Sequence, residues 1–173
     1  MIRLLDSTPT IRLGGMTGMS GAEGVTEQVI ELRLPSRLGY ERIAMDTAAS
    51  LARRMGFADE RIDALRTAIG EAVTNAIEHG NQADEAMKVV VLLTVRPNEL
   101  VISVSDQGRK ALEVEQTKLR PHIADVFQRA DKGGWGIWLM RELMDEVEFT
   151  LAPGGGNLVR MVVHLERMPI SDQ

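Results

Sequence analysis

From about Ala58 to Glu78 or His79, apolar residues recur at Ile62, Leu65, Ile69, Ala72, Val73 and Ala76. At ~100° per residue they form one continuous helical stripe, which has to be buried. Two alternating apolar segments lie directly downstream, Lys88–Val95 (KVVVLLTV) and Glu99–Ser105 (ELVISVS). Only a short Arg96-Pro97-Asn98 turn separates them, so they read as a β-hairpin that the helix covers. This helix and hairpin fix the core of any fold the chain adopts.

The remaining elements extend that core. Gln28–Leu34 (QVIELRL) alternates like a half-buried strand and ends at Pro35. Leu38–Met55 repeats Ile43, Ala44, Ala48, Leu51, Ala52 and Met55 at helical spacing, with Gly56 as its stop. Trp135–Met144 is helical, Glu146–Leu151 is a strand, APGGGN is a turn, and Leu158–Leu165 is a last strand. Between hairpin and last helix, residues 107–132 leave room for at most a short helix around Ile123–Arg129. The order β, α, α, β, β, loop, α, β, β predicts an α+β fold. It is a two-layer sandwich with a mixed, mostly antiparallel sheet and helices packed on one face. Residues 28–167 are expected to form this domain, residues 1–27 a flexible leader, and residues 168–173 a short tail.

Composition narrows the function classes. With 173 residues, 44% hydrophobic and 26% charged, the chain suits one compact core. Aromatic residues are only 3%, so that core is aliphatic. Cysteine is absent, which excludes disulfides, thiolate metal sites and cysteine nucleophiles, and fits a reducing compartment. A net charge of −5 argues against direct nucleic-acid binding. No apolar run approaches the ~20 residues that span a bilayer, and the N-terminus lacks the form of a signal peptide. A cytoplasmic location without membrane contact is expected.

The long helix also carries Glu71, Asn75, Glu78 and His79 in a polar row. Glu71 and Asn75 lie opposite the apolar stripe, together with Ala64 and Ala68. A solvated face would explain the charges, but two alanines there imply that something approaches closely. Asn75 inside a helix also costs propensity. An Asn carboxamide oxygen is a hard ligand suited to Mg²⁺, which shares its coordination with water and phosphate. A Glu one turn earlier can accept a proton from a hydroxyl attacking phosphorus. Such chemistry requires a nucleotide site elsewhere in the chain.

Two glycine-bearing turns supply one. Asp106-Gln107-Gly108 follows a strand: its carboxylate can accept an exocyclic amine, and Gly108 lets backbone approach a flat base. Lys132-Gly133-Gly134-Trp135-Gly136 opens the helix that continues from Ile137, leaving N–H groups at the positive end of its dipole for phosphate. A Rossmann turn is a poor match, because a polar loop precedes these glycines and the final glycine is missing. The charged loop between the turns, with Arg109, Lys110, Lys118 and Arg120, reads as a lid.

In this order the motifs resemble the Bergerat-type ATP-binding fold shared by DNA gyrase, histidine kinases and the mismatch-repair protein MutL. Within that group the chain is similar to the serine/threonine-kinase anti-sigma factors of the bacterial general stress and sporulation type. GEAVTNAIEHG resembles their N-box, VSDQG their first glycine box, and GGWGIWLMRELMDEVEF their second glycine box with its continuation. The likeness covers roughly Gln28 to Leu165. It implies a kinase binding ATP and Mg²⁺, with Glu71 as catalytic base, Asn75 as metal ligand and Asp106 as adenine contact. Gly108, Gly134 and Gly136 would shape the pocket. Glu78, His79, Lys132, Gly133, Trp135 and Ile137 would complete the nucleotide site. It also implies two partners, a sigma factor held sequestered and a STAS-type anti-anti-sigma protein phosphorylated on Ser or Thr, and a homodimer.

The chain departs from that pattern at three places. Arg109 and Lys110 follow Gly108 where a fuller box would read Asp-x-Gly-x-Gly, and Trp135 is bulkier than an aliphatic residue. The last strand has no Gly-Thr pair near Met161 and Val162. Two other readings stand beside the kinase. A binding module without catalysis would have no need of Glu71 beside Asn75. A histidine-kinase core would need a dimerisation helix with a phosphoacceptor, and His79, His122 and His164 are badly placed for one.

Overall fold

The computed structural model describes residues 10–14, 27–108 and 135–165, the first of these as backbone only. Six strands form one sheet: β1 (Thr10–Gly14), β2 (Gln28–Pro35), β3 (Lys88–Arg96), β4 (Glu99–Ser105), β5 (Glu146–Leu151) and β6 (Asn157–His164). Their spatial order is β1-β2-β3-β4-β6-β5, and each pairing is antiparallel. Three helices complete the domain: α1 (Glu41–Met55), α2 (Asp59–Asn75) and α3 (Trp135–Leu143). The expected α+β two-layer sandwich is borne out, with a sheet antiparallel at every pairing where a mixed one was expected.

Alternation along the strands decides which face is buried. Leu32, Leu34, Val89, Val91, Leu93, Leu100, Ile102, Val104, Val159, Met161 and Val163 point into one cluster with the helices. From α2 come Ile62, Leu65, Ala68, Ile69, Ala72 and Val73. Every fully buried position of α1 is alanine (Ala44, Ala48, Ala49, Ala52), so this helix lies close against its neighbours. It stops at Gly56, whose φ of 88° only glycine adopts easily and whose N–H bonds the carbonyls of Ala52 and Arg53.

Two features differ from the sequence reading. Residues 1–27 were expected as a leader outside the domain, yet Thr10–Gly14 pairs with β2 from Thr10↔Arg33 to Gly14↔Val29. An edge strand takes its order from the partner's free N–H and C=O groups, so composition alone does not announce it. The expected leader otherwise lies outside the described residues, as do the lid beyond Gly108, the short helix at 123–129 and the tail. Helix α2 also does not run on regularly. It passes into a π-helical turn, Ala76–Gly80, closed by the Asn81 N–H bonding the Ala76 carbonyl at 2.8 Å.

Candidate functional site

The face of α2 that carries Arg61, Ala64, Ala68, Glu71 and Asn75 is not solvated. Ala68 is completely buried, and Ala64 packs against the core. Helix α3 packs on α2, with its start at the Glu71 end, and Asp145 just beyond its end forms an ion pair with Arg61. It therefore runs antiparallel along this face, and the alanines are small because α3 is there. This bears out the close approach that Ala64 and Ala68 implied.

Gly136 is the point of contact. A Cβ placed on it would lie 2.6 Å from Glu71 Oε2 and 3.1 Å from Asn75 Nδ2. The first turn of α3 thus rests on the carboxylate and the carboxamide, and a larger residue at that spot would push the end of Glu71 aside. Glu71 and Asn75 are half-buried. Ile137, next in the chain, is buried in the core and anchors the turn. Trp135 stays 36% exposed, with its ring edge-on to Trp138 at 5.5 Å between centroids. Glu78 and His79 lie exposed on the π turn. Lys132, Gly133 and Gly134 lie outside the described residues.

Asp106 forms the other end of the site. It follows β4 directly and is 5% exposed. Its Oδ1 accepts the N–H of Gly108 at 2.9 Å and that of Asn157 at 3.0 Å, and its Oδ2 accepts Asn157 Nδ2 at 3.0 Å. A carboxylate fixed by three donors is held as an acceptor in one orientation. Glycines surround it on three sides. A Cβ on Gly80 would overlap the Asp106 carboxylate, one on Gly108 the Gly80 carbonyl, and one on Gly156 the Asp106 carbonyl. Gly156 also has a φ of 86°, so both conformation and space demand glycine there.

The sequence reading missed Gly80, Asn81, Gly156 and Asn157. One wall of an adenine site was expected near Met161 and Val162, where the sequence has no Gly-Thr pair. The residues that meet Asp106 are Gly156 and Asn157, where the glycine-rich turn enters β6. Strand register puts them there: Ser105 pairs with Leu158, so Asp106 meets Asn157. The polar residue closing APGGGN was the available signal.

The donor set fits a magnesium ion that arrives with phosphate. Among the described residues no group of three or more His, Asp or Glu side chains could hold a metal by itself. What α2 offers is one carboxamide beside one carboxylate, half-buried beneath a helix start. That is too few ligands for a closed protein cage, and it suits an ion that keeps waters and takes its other oxygens from a nucleotide.

A buried carboxylate held as an acceptor at one end, a helix start and an Asn–Glu pair at the other, and a sheet beneath them are the parts of a nucleotide-binding α+β domain. Residues 34–163 match the histidine kinase-like ATPase domain family, and the chain belongs to that family. Within it the chain is similar to proteins named serine-protein kinase RsbW. It is 33% identical over 145 residues to that of Bacillus licheniformis, covering 83% of this chain and 89% of the relative. To that of Bacillus pumilus (strain SAFR-032) it is 34% identical over 146 residues, 82% of this chain and 89% of the relative. The Bacillus subtilis (strain 168) protein is 32% identical over 120 residues, 68% of this chain and 75% of the relative. The expected family, its ATP-binding fold and the ATP-dependent protein-kinase class are borne out. No helix among the described residues is long and apolar enough to cross a membrane.

Proposed function

We propose that the chain is an anti-sigma serine/threonine kinase. It binds Mg-ATP between the Asp106 turn and the start of α3, transfers the γ-phosphoryl group to a STAS-type anti-anti-sigma protein, and sequesters a sigma factor by protein contact. The observation that carries this reading is Gly136 seated on Glu71 and Asn75. Such close seating joins the helix start that would face phosphate to the two side chains able to handle metal and proton.

In this reading Asp106 accepts the amine of adenine, and the close packing of Gly80, Gly108 and Gly156 around it holds the carboxylate in place for the base. The first-turn N–H groups of α3 face the phosphates, with Lys132, Gly133 and Gly134 preceding them. Asn75, through its carboxamide oxygen, would hold Mg²⁺, which when bound neutralises charge on the transferring group. Glu71 orients the substrate hydroxyl and takes its proton as the oxygen attacks phosphorus, while ADP departs with the electrons of the broken bond. Trp135, Ile137, Glu78 and His79 border the same site. Release of sigma follows when the unphosphorylated antagonist competes for the kinase. The family resemblance further supports a cytoplasmic homodimer.

The test is direct transfer. With Mg-ATP and a STAS-type protein, the chain should yield phosphoserine or phosphothreonine on that protein. Tight Mg-ATP binding without any transfer to a STAS-type substrate would leave only the binding-module reading standing.

A further inference from the structure

We propose that Asn81 is a positioning residue for nucleotide binding, locking the base end of the site to the end that handles phosphate. This deepens the ATP-binding reading above and rests on it. Asn81 lies beyond the polar row of α2, and its side chain is buried, with the residue 1% exposed. Its Oδ1 accepts the Gln107 N–H at 2.8 Å, and its Nδ2 donates to the Lys88 carbonyl at 3.2 Å. Its own N–H donates to the Ala76 carbonyl and closes the π turn. Gln107 completes the ring, because its Oε1 accepts the Lys88 N–H at 2.6 Å.

One carboxamide thus ties three segments: the end of α2, the start of β3 and the turn after β4. The neighbours of the tied residues are what give this consequence. Gly80, adjacent to Asn81, presses on Asp106 from one side. Gly108, adjacent to Gln107, presses on the Gly80 carbonyl. The spacing between Asp106 and the helix bearing Glu71 and Asn75 is therefore set by the Gly80–Gly108 contact, and Asn81 holds that contact closed. The π turn aims it. Closing with an ordinary i→i+4 bond would swing the side chain away by about 100°. Asn meets both demands because one end accepts and the other donates. Asp lacks the donor, and Leu lacks both.

Calorimetric titrations of wild type, Asn81→Leu and Asn81→Asp with Mg-ATP, and with Mg-tripolyphosphate as a base-free probe, separate positioning from plain stability. Loosening the base end should weaken Mg-ATP binding about tenfold or more in both variants, while tripolyphosphate affinity stays within about twofold of wild type. If both ligands weaken by the same factor, or Mg-ATP binding is unchanged, the proposal is overturned. Gln107→Ala removes the parallel bond from an exposed position and decides the matter should neither variant at 81 fold. Wild-type protein that binds neither ligand would overturn the ATP reading itself, a result distinct from any of these.

Discussion

Asn157 engages both carboxylate oxygens of Asp106, its backbone N–H donating to Oδ1 and its carboxamide to Oδ2, each at 3.0 Å. The Asp106 N–H returns a bond to the Asn157 carbonyl at 3.1 Å. Fifty-one positions apart in the chain, the two residues form one buried polar unit. Asn157→Ala leaves Asp106 buried and one donor short, a loss of about 1–3 kcal/mol of stability. Urea unfolding measures it, and Mg-ATP affinity should fall alongside. A fully stable variant with unchanged affinity would show that the carboxamide does not hold Asp106.

Gly136→Ala tests the contact between α3 and α2. In a helix, alanine would ordinarily add ~0.5–1 kcal/mol over glycine. Here its Cβ would meet the end of the Glu71 side chain, Oε2, at 2.6 Å, so Glu71 has to swing aside and the ordinary gain of about 0.5–1 kcal/mol is offset. Phosphoryl transfer should fall more than ATP binding, since Glu71 is the group displaced. Thermal melts and single-turnover transfer read the two effects separately. A stabilised variant with full transfer would contradict the contact.

Glu71→Ala is expected to keep Mg-ATP binding and to lose transfer by about 10²–10⁴-fold, the range for a positioned general base. Calorimetry and a phosphotransfer assay distinguish this from a binding defect. An equal loss in both would make Glu71 part of the binding site alone.

Asn75→Ala is expected to abolish the magnesium dependence of ATP binding. Wild-type affinity should drop on chelation of the metal, and the variant should sit at the chelated level in either condition. A variant whose affinity still responds to Mg²⁺ as wild type does would move the metal to other ligands.

Much of this architecture was legible in the sequence because it is written in local periodicity. The stripe from Ile62 to Ala76 and the alternation through Lys88–Val95 and Glu99–Ser105 depend on neighbouring residues alone. Ala64 and Ala68 signalled a close approach without saying what makes it, because a small residue on a supposedly exposed face is itself an observation. What stayed hidden depends on distant partners. The π turn needs the buried bonds of Asn81, which reach Lys88 and Gln107. The Asp106–Asn157 pair follows from the β4–β6 register, and β1 from the open edge of β2. None of these leaves a periodic trace in its own segment.

The central claim is that Glu71, Asn75 and Asp106 serve one nucleotide whose terminal phosphoryl group goes to a protein hydroxyl. Phosphosite mapping by mass spectrometry, on a STAS-type protein incubated with Mg-ATP and either wild type or Glu71→Ala, tests it most directly. The account predicts a single modified Ser or Thr with wild type and none with the variant at equal ATP occupancy. Equal modification by both proteins would contradict it.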